Sequence, residues 1–161
     1  MKNLIVFGFL ILSSALYAQN GSVQFNTEPI DPDVDVRATI DAMFTGMRNG
    51  DSSMVANVFH KDLRLMSSYV TKKGEPKIHV GSPTEFKTAV GTPHDAIWDE
   101  RISNVIIQRD DNLAQVWMDY SFYLDDKFSH CGVNSFQLIN LKNGWKIISI
   151  TDTRRSTNCA E

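Results

Sequence analysis

Four long segments in which apolar and polar residues alternate constrain this chain most. They cover residues 96–109, 113–124, 128–141 and 145–153, and three residues separate each segment from the next. A period of two predicts β-strands, and connections this short make each strand pair antiparallel with the one before it. The Asn143-Gly144 dipeptide is the strongest turn signal, because both positions of a tight hairpin turn need positive φ. The sequence therefore predicts an antiparallel meander of four long strands.

The first half of the chain shows helical spacing instead. Asp31-Pro32 predicts a helix start, and Asn49-Gly50 predicts its end. Between them, five apolar residues form one stripe: Val36, Ile40, Met43, Phe44 and Met47. A shorter helix capped by Asp51 or Ser52, a strand over residues 63–69 and a loop over residues 72–76 follow. A helix then begins at the capping box Ser82-Pro83-Thr84-Glu85.

Helices followed by a meander indicate the α+β class. Long strands must twist and bend, so the sheet is expected to curve strongly. The N-terminal helices would fill its concave face only in part, which predicts a pocket. In the strand over residues 113–124, the inner face carries Ala114, Val116, Met118, Tyr120, Phe122 and Leu124. Trp98, Ile102 and Ile106 are expected to pack inward from the strand before it.

The N-terminal residues have the three-part layout of a secretory signal peptide. Lys2 precedes an apolar run over residues 4–12, and small residues lead to cleavage after Ala18, with Ala15 as the alternative. Residues 19–32 are expected to be a flexible lead-in, 33–155 one domain and 156–161 a tail, in a secreted or periplasmic protein. Loss of residues 1–18 removes one of 16 basic residues and none of the 19 acids, which changes the net charge from −3 to −4. This balance disfavours nucleic acid and anionic membranes as partners.

The two cysteines, Cys131 and Cys159, are an even number in an oxidising compartment. They are interpreted as a disulfide that holds the C-terminal tail across the last hairpin. The alternative is a pair of free thiols.

The last hairpin carries the candidate ligand site. A two-residue Asn143-Gly144 turn would place His130, Asn134 and Phe136 on one face with Thr153 and Arg155. A slip of one residue would bring in Asp152 and Arg154 instead. Either rim suits a ligand with an apolar body and an acidic or carbonyl group. The alternative is a solvated strand end with a structural histidine.

Trp98 and Tyr120 could line the same pocket, since each has an apolar body and a polar tip. Asp99 and Glu100 are adjacent, so only one can face inward, where burial would raise its pKa. Asp99 and His130 are the candidate catalytic residues. The four histidines lack close metal-ligand spacing, no phosphate-binding glycine loop is present, and no cofactor is predicted.

The order of elements resembles the nuclear transport factor 2-like (NTF2-like, or SnoaL-like) superfamily. The resemblance rests on a capped short helix before four long strands and on Gly144-Trp145-Lys146-Ile147 opening the last strand. Within the superfamily, the sequence resembles small exported bacterial members. The residues that carry this likeness are His130-Cys131-Gly132 on one strand and Asp152-Thr153-Arg154-Arg155 after the last. The resemblance implies a cone-shaped domain over residues 33–155, a hydrophobic pocket and frequent dimers. Isomerases of the superfamily carry a general-base carboxylate on the first strand, where residues 63–69 here have no acid.

Three functions remain open at this level. The first is an exported binding protein for a small apolar or acidic molecule. The second is an acid–base enzyme, such as an isomerase, dehydratase or cyclase, that uses His130 with an inward carboxylate. The third is a protein-interaction subunit or homodimer that uses Trp117 and Tyr123 on the outer face of the sheet.

Overall fold

The structure is a computed structural model that describes residues 33–160. The predicted signal peptide, its cleavage site, the lead-in and the Asp31-Pro32 helix start lie outside the described residues. Within residues 33–160, no helix is long and apolar enough to cross a membrane.

Three helices precede or interrupt the sheet: α1 (Val34–Asn49), α2 (Ser52–Val58) and α3 (Pro83–Gly91). The predicted apolar stripe of α1 is confirmed, because all five of its residues are buried. Gly50 ends α1 in the left-handed conformation, at φ 67°. The Asp51 side chain accepts the backbone N–H groups of Ser53 and Met54 and so starts α2. Ser82 caps α3 through the N–H of Glu85, as the capping box predicts.

Six strands form one sheet: β1 (Phe59–Val70), β2 (Pro76–Gly81), β3 (Trp98–Asp110), β4 (Leu113–Leu124), β5 (Lys127–Leu141) and β6 (Gly144–Arg154). Their order is β2-β1-β6-β5-β4-β3. The α+β class and the β3–β6 meander are confirmed. The sheet is mixed rather than wholly antiparallel, because β1 pairs parallel with β6. Strand β2 was not predicted, because this edge strand has no buried face: Ile78 and Val80 are about 70% exposed.

The core lies between the helices and one face of the sheet. The predicted inner face of β4 is confirmed by the burial of Ala114, Val116, Met118 and Tyr120. Phe136 on β5 is fully buried, and its ring lies 6.1 Å from that of Phe44 on α1. These contacts attach α1 to the centre of the sheet.

Ile106 corrects one expectation about the core. Trp98 and Ile102 pack against the core as predicted, but Ile106 is 58% exposed. A β-bulge interrupts the β3–β4 pairing between Ser103 and Ile106, where Asn104 has φ 49°. The extra residue reverses the alternation, so Ile107 turns inward instead.

The outer face of β4 carries Trp117, which is 48% exposed. Tyr123 on the same strand lies under the guanidinium of Arg101, 4.0 Å from its ring centroid. A homodimer through this face stays a prediction.

Candidate functional site

A cavity of about 740 Å³ lies between α1, α3 and the sheet. Most of its wall is apolar. The apolar lining residues are Met43, Met47, Leu65, Met66, Phe86, Ala89, Trp98, Phe122, Leu124, Phe136 and Ile150. Such a wall favours a ligand with substantial apolar surface.

Five strands of the sheet add a cluster of polar groups to this cavity, called the polar side below. They are Ser67 from β1, Glu100 from β3, Tyr120 from β4, His130 and Asn134 from β5, and Asp152 and Arg154 from β6. Because these side chains come from neighbouring strands, the sheet register decides which of them meet.

Glu100 is held by an amide in the interior. Asn134, which is 4% exposed, donates from Nδ2 to Glu100 Oε1 over 2.7 Å. Burial raises the pKa of Glu100 to about 7, and the charge of Asp152 adds to the rise, while the Asn134 hydrogen bond opposes it. A carboxyl group with this pKa exchanges its proton near neutral pH.

Asp152 lies beside β1, the strand whose sequence has no acid in residues 63–69. Its Oδ1 accepts a hydrogen bond from Ser67 Oγ over 2.5 Å, and its Oδ2 lies 3.4 Å from the Tyr120 hydroxyl. Burial also raises the pKa of Asp152. A carboxyl group therefore reaches this side of the cavity from β6 rather than from β1.

His130 and Arg154 form the more exposed part of the polar side. Arg154 Nη2 donates to His130 Nδ1 over 3.2 Å. Burial lowers the pKa of His130 to about 4, and the charge of Arg154 adds to the fall. The imidazole is therefore neutral at pH 7. Because Nδ1 accepts from a guanidinium, which can only donate, the ring proton lies on Nε2, and the Ser129 hydroxyl, 3.0 Å from the same Nδ1, acts as a second donor.

Tyr120 spans a local opening in the β5–β6 ladder. Its hydroxyl donates to the Thr153 carbonyl oxygen over 2.8 Å, and the Val133 N–H donates to the Thr153 hydroxyl instead of a backbone carbonyl. Gly132 makes room for this arrangement. A Cβ there would lie 1.8 Å from the Thr153 carbonyl oxygen and 2.7 Å from Tyr120 Cε1.

The predicted β5–β6 register was wrong. Asn134 pairs with Asp152, and Asp152 and Arg154 line the cavity in place of Thr153 and Arg155. The turn is Lys142-Asn143, so Leu141 pairs with Gly144. This pairing differs from the predicted register by two residues, which leaves each side chain on its predicted face of the sheet. A bulge in β6 opposite Gln137 and Leu138 then adds one residue, and beyond it the side chains of β6 lie on the opposite face from the predicted one.

The inward carboxyl group is Glu100 rather than Asp99. Asp99 is 8% exposed and lies away from the cavity, bound to Arg48 of α1 and to Arg101 Nε at 2.8 Å. The hydrogen bond from Arg48 holds the pKa of Asp99 below its usual value. Residues two apart on a strand share a face. The inward position predicted for Trp98 would therefore have identified Glu100 as the inward acid.

Five of the predicted ligand-site residues do lie together. Trp98, Tyr120, His130, Asn134 and Phe136 all line the cavity. Trp98, His130 and Tyr120 form a row of rings with Phe122, which lies 6.4 Å from Trp98 and 5.0 Å from His130. The sequence interpretation did not include the contributions of β1, β2 and α3, among them Ser67, because nothing in the local pattern places those elements over the cavity.

The predicted disulfide is confirmed. Cys131 and Cys159 are bonded, with 5.7 Å between their Cα atoms. Backbone hydrogen bonds between Cys131 and Arg155 hold the start of the tail in place. A disulfide is consistent with an extracellular compartment. Among residues 33–160, no group of three potential ligands could hold a metal ion.

Comparison with known proteins adds the family. The model of the family described as "Putative lumazine-binding" matches residues 31–151. No curated protein sequence is significantly similar to the chain.

Solved structures share the fold at low sequence identity. An NTF2-like protein from Shewanella baltica is 12% identical, with a TM-score of 0.59 over 82% of this chain and all of that one. One from Cytophaga hutchinsonii is 14% identical, with a TM-score of 0.59 over 74% and 95%. A "putative dehydratase from the NTF2-like family" of Streptomyces avermitilis is 13% identical, with a TM-score of 0.55 over 76% and 95%. The chain has the NTF2-like fold and belongs to the family described as "Putative lumazine-binding".

Proposed function

We propose that the protein binds a small molecule with an apolar body in the cavity between α1, α3 and the sheet. The observation that carries this proposal is the cavity itself: about 740 Å³, lined mainly by apolar side chains, with a cluster of polar groups contributed by the sheet. Sites for small organic molecules combine these two features. The family description supports ligand binding as well.

N-Phenyl-1-naphthylamine tests the proposal, because this neutral aromatic probe gains fluorescence in an apolar site. We expect saturable binding that Ala89→Trp weakens, since Ala89 lines the cavity from α3. Thr88→Trp is the matched control, because Thr88 is an exposed neighbour on the same helix outside the lining. Absence of binding, or equal binding by both variants, would contradict the proposal. Lumazine, which the family description names, is a second probe, and its competition with the naphthylamine would support the same site.

Acid–base catalysis is a second candidate function, and Glu100 favours it. The carboxyl group faces the cavity, and its pKa of about 7 lets it accept and release a proton at neutral pH. His130, the base expected from the sequence, has a pKa near 4, and its Nδ1 is already hydrogen-bonded to Arg154. Glu100 is therefore the better candidate for proton transfer.

Exchange of carbon-bound protons tests this second function without a known substrate. 2-Tetralone, an apolar ketone, can be incubated with the protein in D₂O and followed by NMR. Accelerated exchange next to the carbonyl, lost in Glu100→Gln and kept in Glu85→Gln, would support it. Glu85 is the control because it is an exposed acid that lines the same cavity from α3. Exchange at the same rate in Glu100→Gln would exclude Glu100 as the base.

The protein is further proposed to act outside the cytoplasm, after removal of a signal peptide. The apolar run at residues 4–12 and the disulfide support this location. After expression of the full chain, N-terminal sequencing of the product should give Gln19 or Leu16 at the mature terminus.

 Cleavage after Ala18 would leave Gln19 first, and cleavage after Ala15 would leave Leu16 first. An intact N-terminus on protein recovered from the cell interior would contradict export.

A further inference from the structure

Arg154 brings a positive charge to the cavity. It is an exposed residue, yet it lines the cavity. None of the ion pairs found between residues 33 and 160 includes it. Among the described residues, its side chain donates to His130 Nδ1. A guanidinium has five N–H groups, so most of its donors remain available to a ligand.

The two acids on the same side of the cavity are engaged elsewhere. Glu100 Oε1 accepts from Asn134, and Asp152 Oδ1 accepts from Ser67. Neither carboxyl group forms an ion pair with Arg154, although the charge of Arg154 lowers the pKa of both from a longer distance.

His130 adds a neutral donor beside this charge. With Nδ1 occupied by Arg154, the ring proton lies on Nε2, and the side chain lines the cavity. Guanidinium and imidazole N–H groups together are suited to the oxygens of an acidic group.

The interior of the cavity would repel an anion. Asn134 and Tyr120 are each 4% exposed, and they hold Glu100 and contact Asp152 there. Two carboxyl groups among apolar walls disfavour a negative charge at that depth. The acidic end of a ligand therefore has one favourable position, next to exposed Arg154.

We propose that the ligand is an amphipathic organic anion whose acidic group binds Arg154 and the Nε2–H of His130, with its apolar part inside the cavity. This inference rests on the proposed binding function and adds the class and the orientation of the ligand.

A pair of probes that differ by one sulfonate group tests the inference. 8-Anilinonaphthalene-1-sulfonate carries a sulfonate on the same ring skeleton as the neutral N-phenyl-1-naphthylamine. We expect Arg154→Gln to weaken binding of the sulfonate at least about tenfold, the range of a charge-assisted hydrogen bond, and to leave the neutral probe within about twofold.

Arg155→Gln is the matched control. It removes the same charge from the neighbouring residue, whose guanidinium donates to the Asn158 carbonyl oxygen and lies outside the cavity lining. We expect it to leave both probes unchanged. Equal weakening of the sulfonate in both variants would overturn the inference, because the effect would then be one of net charge. Equal weakening of both probes by Arg154→Gln would overturn it too, because Arg154 would then shape the cavity rather than bind the acid. If neither probe binds the unaltered protein, the proposed function itself fails, whereas binding of the neutral probe alone refutes only the anion site.

Discussion

Replacement of Glu100 by Gln should stabilise the protein in a pH-dependent way. The glutamate has an ordinary pKa of 4.5 in the unfolded chain and about 7 in the folded protein. Below pH 4.5 both states hold the proton, so the carboxyl group carries no ionisation penalty. Between pH 4.5 and 7 the unfolded chain ionises first, and stability is lost as the pH rises. At about 1.4 kcal/mol per pH unit, the penalty reaches about 3 kcal/mol above pH 7.

Glutamine cannot ionise, and its side-chain oxygen can still accept from Asn134. The free energy of unfolding of Glu100→Gln should therefore match that of the unaltered protein at pH 4.5 and exceed it by up to about 3 kcal/mol at pH 8. Urea unfolding at pH 4.5, 6 and 8 measures this difference, and Glu85→Gln controls for loss of an exposed acid. A difference that stays constant with pH, or a variant less stable at pH 8, would refute the raised pKa of Glu100.

Three further predictions follow from the same region. The pKa of His130, measured by NMR titration, should be near 4 and should rise only in part in Arg154→Gln, because burial is the larger cause; a value that stays at 4 would contradict the role of Arg154. Gly132→Ala should lower the free energy of unfolding, measured in urea, by on the order of 3 kcal/mol, because its Cβ would lie 1.8 Å from the Thr153 carbonyl oxygen. A loss below about 1 kcal/mol would show that β5 and β6 can separate here at little cost. Cys159→Ser should cost about 3.5 kcal/mol, the loop-closure entropy for a disulfide with a separation of 28 residues; unchanged stability would mean that the unfolded chain is not restrained by the bond.

Local patterns predicted most of the elements, because each pattern depends on residues close in sequence. The α1 stripe follows from spacing alone, and Ser82 with Pro83 marks the start of α3 through one turn of backbone. The inner face of β4 follows from unbroken alternation between Ala114 and Tyr120. The disulfide followed from the cysteine count, and the structure confirms it.

Pairing between distant strands and the positions of β-bulges could not be predicted in this way. One inserted residue in β6 exchanges Thr153 for Asp152 at the cavity, although the strand itself was identified. The bulge at Asn104 likewise turns Ile106 outward. A bulge leaves composition unchanged and appears only in the register with the neighbouring strand. The parallel β1–β6 pairing, which brings Ser67 to the cavity, leaves no local signal.

The parallel pairing of β1 with β6 has a consequence for how the cavity forms during folding. The hydrogen bond between Ser67 and Asp152 joins residues 85 positions apart. Within residues 33–160, the β1–β2 hairpin joins the rest of the sheet through β6 alone. The enclosed site therefore forms only when these two strands, distant in sequence, have paired and brought Ser67 next to Asp152.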